Sequence, residues 1–171
     1  DVEQISIHGG SIVVYVSHPN QYPTTSKVND LLNYEEKNGF YKLEKYQEFS
    51  KRVEQVKNGL LEIISKLKQK NKVIYGYGAP AKGNTMLNYC GIDSKSIDIL
   101  VETNDLKCGL YAPGSKIKIL HENDINQIPD YYLILPWNFL ESFLDKEKQF
   151  LKDGGKFIVP IPKPKIMDYS D

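Results

Sequence analysis

The sequence predicts an α/β fold: a doubly wound, mostly parallel sheet of about five strands, preceded by a helical segment. Two observations carry this expectation. From residue 72 onward short β-rich runs alternate with helical periodicity, and parallel strands need such crossovers. The chain has 171 residues, 40% hydrophobic and 26% charged, which suits one packed domain with an appendage rather than a disordered chain.

The opening DVEQISIHGGSIVVYV is β-rich, with residues 12–16 in one run after His8-Gly9-Gly10-Ser11. No hairpin partner follows it, because residues 18–25 (HPNQYPTT) read as turn and linker. Residues 1–25 are therefore expected to be a remnant strand and linker whose sheet lies outside this chain, which reads as part of a longer protein. Residues 26–70 are helical, divided at Gly39. In the longer piece Leu43, Tyr46, Phe49, Val53, Val56, Leu60, Ile63, Ile64 and Leu67 recur every three or four positions with charges between them. Such a stripe packs on a core or bridges domains; a coiled-coil seam is the alternative. Residues 71–171 hold the alternating pattern. Strands are expected at 72–77, 96–102, 116–120, 131–136 and 156–160, with helices at 81–89, briefly from 122, and at 139–152. The proline-rich 160–164 stretch should run extended over the surface.

Composition also excludes function classes. Lys plus Arg number 22 and Asp plus Glu 22, so no uniform basic footprint for nucleic acid exists. No apolar run reaches the length of a membrane span. Two cysteines, Cys90 and Cys108, build no zinc cage or disulfide scaffold by themselves, which points to the cytoplasm, and Cys90 reads as a buried, inert thiol. His8, His18 and His121 lack metal-ligand spacing, and His121 is expected to be exposed.

The sharpest local signal is Gly76-Tyr77-Gly78-Ala79-Pro80-Ala81-Lys82-Gly83, a strand-to-helix turn. Glycines turn the backbone tightly, Pro80 suits a helix start, and a helix N-terminus with Lys82 in its first turn favours an anion. Glu102 ends the next strand, where a dinucleotide fold places a ribose-binding acid. The third glycine of a dinucleotide fingerprint should fall at position 81, which is alanine here; the next glycine is Gly83. Both a ligand-free tight turn and a nucleotide or small-molecule site remain open. Trp137, the only tryptophan, either packs in the core or stacks on a ligand, and Asn138 reads as a helix N-cap. No catalytic acid–base set and no metal site can be assigned.

HGGS, a helical linker, GYGAPAKGNTMLN, ETNDLKCGLYAPGSKI, PDYYLILPWNF and GGKFIVPIP, in that order, resemble the C-terminal region of the sugar C-methyltransferases. The resemblance implies a Rossmann-like C-terminal domain of an S-adenosylmethionine-dependent enzyme that methylates C-3 of a nucleotide-linked 4-keto-6-deoxy sugar. In that chemistry the keto group acidifies C-3, a base removes the proton, and the enolate attacks the sulfonium methyl. By the same resemblance the methyl donor, the base and a zinc-binding module belong to upstream domains, and this chain alone is inactive. It would hold the nucleoside-diphosphate sugar with Tyr77, Gly78, Ala79, Lys82, Gly83 and Asn84 from the first turn. Glu102, Asn104 and Lys107 would follow from the second strand, and Trp137 and Asn138 would close the far side. The chain departs from the family pattern at Val13, where arginine is common, at Glu102, where aspartate is usual, and at Leu140-Glu141-Ser142, where an acidic pair is common. A nicotinamide-dependent oxidoreductase domain and a non-catalytic assembly domain are the competing readings of the residues.

Overall fold

Residues 1–170 are described by a computed structural model, and the chain divides at Val53/Glu54 into two units. In the first unit β1 (Val2–Ile5) pairs antiparallel with β2 (Ser11–Val14), with Val2 opposite Val14 and Ile5 opposite Ser11. The expectation of a first strand without a partner in the chain is thus corrected. Its partner precedes it, and a 3-10 turn at Ile7–Gly9 reverses the chain. A four-residue strand of sequence VEQI offers too little alternation to be read from sequence. Helix α1 (Ser26–Lys37) follows, and α2 (Leu43–Gln69) begins in this unit and ends in the next. Val2 is the only buried residue among the first 53, and Ile12, Val14, Tyr15, Val16, Leu43 and Phe49 are exposed.

The second unit is built on a six-stranded sheet. Its strands are β3 (Ile74–Tyr77), β4 (Ile99–Glu102), β5 (Lys118–His121), β6 (Tyr131–Ile134), β7 (Lys156–Val159) and β8 (Lys165–Met167). Their order is β5-β4-β3-β6-β7-β8, parallel throughout except for the antiparallel β8. This is the doubly wound, Rossmann-like arrangement, with the strand order reversing between β3 and β6. The sixth strand adds to the expected five. It follows the bend at residues 160–164, where Pro160 is buried and Pro164 packs beside Gly59, so this stretch does not simply lie extended on the surface.

The two-residue period of strands sorts the core into two faces. Ile74, Leu100, Ile119, Leu133 and Ile158 form one, covered by Leu60, Ile64 and Leu67 of α2 and Leu87 and Cys90 of α3 (Ala81–Cys90). Tyr75, Tyr77, Val101, Tyr132, Phe157 and Val159 form the other. Leu140, Phe143 and Leu144 of α4 (Leu140–Lys146), with Phe150 and Leu151 of α5 (Lys148–Lys152), cover it. The single helix expected over 139–152 is broken at Glu147, which caps α5 and whose carboxylate is bonded to the Tyr77 hydroxyl. The apolar stripe of α2 is core-packing in its second half: Leu60 is 0% exposed, whereas Phe49 is 57% exposed.

Short contacts set the ends of these elements. Asn71 takes a left-handed conformation (φ 55°) and stops α2, and Lys72 N donates back to Leu67 O at 3.0 Å. Asp130 then ties β3 to β6, accepting from Val73 N at 2.8 Å and from Lys72 Nζ at 2.8 Å. Outside β5 the loop at 109–112 runs back along the strand. Gly109 N donates to Ile119 O, and Ile119 N to Leu110 O, both at 2.9 Å.

Candidate functional site

The turn after β3 is shaped by two glycines with different tasks. Gly78 sits at φ 76°, and its N–H donates to Val101 O at 2.7 Å, which folds the turn across to β4. Gly83, buried in the first turn of α3, has no room for a side chain: a Cβ there would lie 2.7 Å from Leu135 Cβ and 3.1 Å from Pro80 Cγ. Gly83 therefore lets α3 press against the end of β6, the packing task of the third glycine in a dinucleotide fingerprint. The spacing differs, but the task is filled.

Glu102 is the knot of the turn. One carboxylate oxygen accepts from Ala79 N at 3.0 Å and from Lys107 Nζ at 3.2 Å; the other accepts from Thr103 N at 2.9 Å and Asn104 N at 3.3 Å. Burial alone would raise its pKa, but the Thr103 and Ala79 amides and the Lys107 ammonium outweigh burial and hold the carboxyl below its ordinary value. Lys107 Nζ also donates to Ala79 O at 3.1 Å, so both backbone polar groups of Ala79 are taken. Asn104 completes a local turn, its side chain accepting from Leu106 N at 3.0 Å.

At the carboxyl ends of β3 and β4 a crevice of 240 Å³ opens, lined by Tyr77, Gly78, Ala79, Glu102 and Lys107 from the expected set. Sequence reasoning missed Thr103, Glu122, Phe143 and Lys146, which line it too. Glu122 and Lys146 form an ion pair at 2.6 Å between the short turn after β5 and the end of α4. No local motif joins them; only the sheet order brings them together. The Tyr77 hydroxyl donates to Glu147 at 2.7 Å, and burial, reinforced by that carboxylate, lifts its pKa well above the tyrosine range. Its neighbour Tyr132 is pushed up to about 12, chiefly by burial.

Lys82 and Trp137 are brought together beside this crevice without lining it. The Lys82 ammonium lies 4.8 Å from the Trp137 ring centre and 6.0 Å from that of Phe139. Burial lowers its pKa, and no carboxylate pairs with it among the described residues. Trp137 packs on the second core cluster while supporting Lys82. Asn138 is exposed in a 3-10 turn at Trp137–Phe139 and does not cap α4. Phe139 occupies the cap position, because the chain makes that turn before the helix starts. Gly83, Asn84, Asn104 and Asn138 stand outside the crevice. The buried Oδ1 of Asn84 has no hydrogen-bond partner among the described residues.

The other reactive types are occupied or scattered. His121 is half-buried rather than exposed, its Nδ1 accepting from Asn123 N at 3.2 Å. Burial raises the Cys90 thiol pKa, as an inert core cysteine requires. Among the described residues no group of three or more His, Cys, Asp and Glu converges, and no helix is long and apolar enough to cross a membrane. A larger hollow of 560 Å³ in the first unit, lined by Val2, Lys27, Asp30 and Tyr34 among others, holds none of the candidate residues. The acid at the glycine turn that would accept the ribose of S-adenosylmethionine, Glu102, already takes four donors on its two oxygens, so the turn offers that ribose no free carboxylate acceptor.

Residues 6–162 match the family model described as the C-methyltransferase C-terminal domain. The chain is also 38% identical over 169 residues to the C-methyltransferase NovU of Streptomyces niveus, an alignment covering 98% of this chain and 40% of that relative. The chain thus spans less than half the length of the relative. The family match runs from the turn before β2 through the glycine turn and the strand ends to the sixth strand's approach, so this Rossmann-like unit with its clamped turn belongs to the C-methyltransferase C-terminal domain family.

Proposed function

We propose that this domain is the substrate-holding wall of an S-adenosylmethionine-dependent methyltransferase acting on C-3 of a nucleotide-linked 4-keto-6-deoxy sugar in the cytoplasm. Residues 1–25 complete the sheet of a donor-binding domain, residues 26–70 link the two, and residues 71–171 hold the sugar nucleotide. The methyl donor, a zinc-binding module and the general base that forms the C-3 enolate belong to protein outside this chain. Its own residues bind and orient, and it is inactive alone.

One observation supports this reading best. An ammonium without a carboxylate partner among the described residues, Lys82, stands in the first turn of α3 beside a crevice at the point where the strand order reverses. Open α/β sheets bind ligands there, and a helix N-terminus with a cation favours the anionic diphosphate. Trp137 carries that ammonium on its ring, so its emission should report occupancy.

The test is calorimetric titration of the chain with UDP-glucose, S-adenosylmethionine and NADH. Weak binding of the sugar nucleotide and none of the other two is expected. Donor or nicotinamide binding at the glycine turn contradicts the proposal, the latter in favour of an oxidoreductase domain. In the full-length enzyme Lys82→Met should raise the sugar-nucleotide KM about tenfold, the loss of one charged hydrogen bond, with kcat little changed. An unchanged KM removes Lys82 from the site.

A further inference from the structure

We infer that the crevice takes an uncharged, hydroxyl-bearing ring, the sugar, and that the Glu122–Lys146 pair recognises it, leaving the charged carrier to Lys82 outside. The inference rests on the sugar-nucleotide reading above and divides that ligand between two places.

Charge within the crevice decides the division. Its four charged side chains are Glu102, Lys107, Glu122 and Lys146, which sum to zero and stand as two ion pairs at 3.2 Å and 2.6 Å. A diphosphate entering here would have to displace a carboxylate from its lysine and leave it facing the phosphates. Apart from Thr103, the remaining walls, among them Pro80, Val101, Pro136, Phe143 and the Tyr77 ring, carry no polar side-chain group except the Tyr77 hydroxyl. Apolar and aromatic walls with a few convergent polar groups suit a ring that has C–H faces and hydroxyl edges.

Hydrogen-bonding capacity then separates the two pairs. Glu102 is spent on four donors, Lys107 uses two of its three N–H groups, and the Tyr77 hydroxyl is given to Glu147. Glu122 and Lys146 share one side-chain hydrogen bond, through one oxygen and one N–H, and Lys146 also faces the Tyr77 ring. Thr103, Glu122 and Lys146 line the crevice; the second Glu122 oxygen and the Thr103 hydroxyl have no hydrogen bond among the described residues, and the Lys146 ammonium, 5.9 Å from the Tyr77 ring centre, has no second hydrogen-bond acceptor among them. A hydroxyl donates to that Glu122 oxygen and accepts from that ammonium, which is what a diol needs. Glu102 and Lys107 are then positioning residues that hold the turn, while Glu122 and Lys146 touch the ring.

The experiment uses the isotope-labelled full chain and two separate probes, methyl α-D-glucopyranoside and UDP, followed by amide chemical shifts. The glucoside is expected to shift Gly78, Thr103, Phe143 and Lys146. Glu122→Gln and Lys146→Met should each weaken it about tenfold, as expected for one charged hydrogen bond, and leave UDP affinity within about twofold. Lys82→Met should weaken UDP and spare the glucoside. The pair is partly exposed, so neither substitution threatens the fold. Two results overturn the inference: no glucoside shift in the crevice, or an equal loss of UDP affinity in the Glu122 and Lys146 variants. If the glucoside binds there while UDP does not bind, the carrier reading of Lys82 falls and the ring site stands; if UDP binds and the glucoside does not, the ring site falls alone.

Discussion

At Gly83 one methyl group decides how closely α3 sits on β6. Gly83→Ala places a Cβ 2.7 Å from Leu135 Cβ, so helix and strand must part; a loss of about 1–3 kcal/mol in urea unfolding is expected. A neutral result would mean that α3 can slide without cost. Glu102 sets a different dependence. Its carboxyl is depressed in the folded chain, so its contribution is complete above the ordinary value of 4.5 and disappears as pH falls through the lower folded value. Wild-type stability should therefore drop on acidification, and Glu102→Gln should flatten that part of the curve, as urea midpoints between about pH 6 and about pH 3 will show. The same variant should loosen the Ala79 amide, read by hydrogen exchange, because its acceptor weakens. At this scale the sequence is a good guide to residue type and a poor one to task. Glu102 stands where a dinucleotide fold places a ribose-binding acid, and its oxygens meet three backbone amides and the Lys107 ammonium, which no spacing rule reveals.

Helix α2 shows how one pattern can serve two environments. Leu60 and Phe49 share its apolar stripe, yet Leu60 is fully enclosed by the sheet and Phe49 is open. Leu60→Ala should cost about 2–5 kcal/mol and Phe49→Ala no more than about 0.5 kcal/mol, compared by urea midpoint. Equal costs would show that the stripe is covered along its whole length. The strands and helices with strong periodicity, β3, α3, β6 and α2, were legible because burial on one face leaves a regular mark. β1 and β8 were not, since three or four residues beside polar or proline-rich neighbours leave too little alternation to count. The break at Glu147 was hidden for another reason: its helical period continues across it, and only the Tyr77 hydroxyl reveals why the chain turns there. Glu122 and Lys146 were invisible because their meeting depends on the order of β4, β3 and β6.

Across the whole molecule both apolar clusters draw on residues from Leu60 onward, and none of their members lies in the first unit. A chain lacking residues 1–53 should accordingly keep its sheet and unfold in one urea transition, checked by circular dichroism. A disordered spectrum would show that the first unit supplies stability that its exposed side chains do not suggest. The margins of the six-stranded sheet carry a last consequence. On one side the loop at 109–112 already bonds along β5; on the other the short β8 runs against its neighbour, with Lys163, Pro162 and Pro164 just before it. A stranger's strand finds no long open ladder to zip onto. At the margins of this sheet crowded copies are thereby steered away from fibril growth, and a lasting association there has to be made through side chains instead of shared backbone.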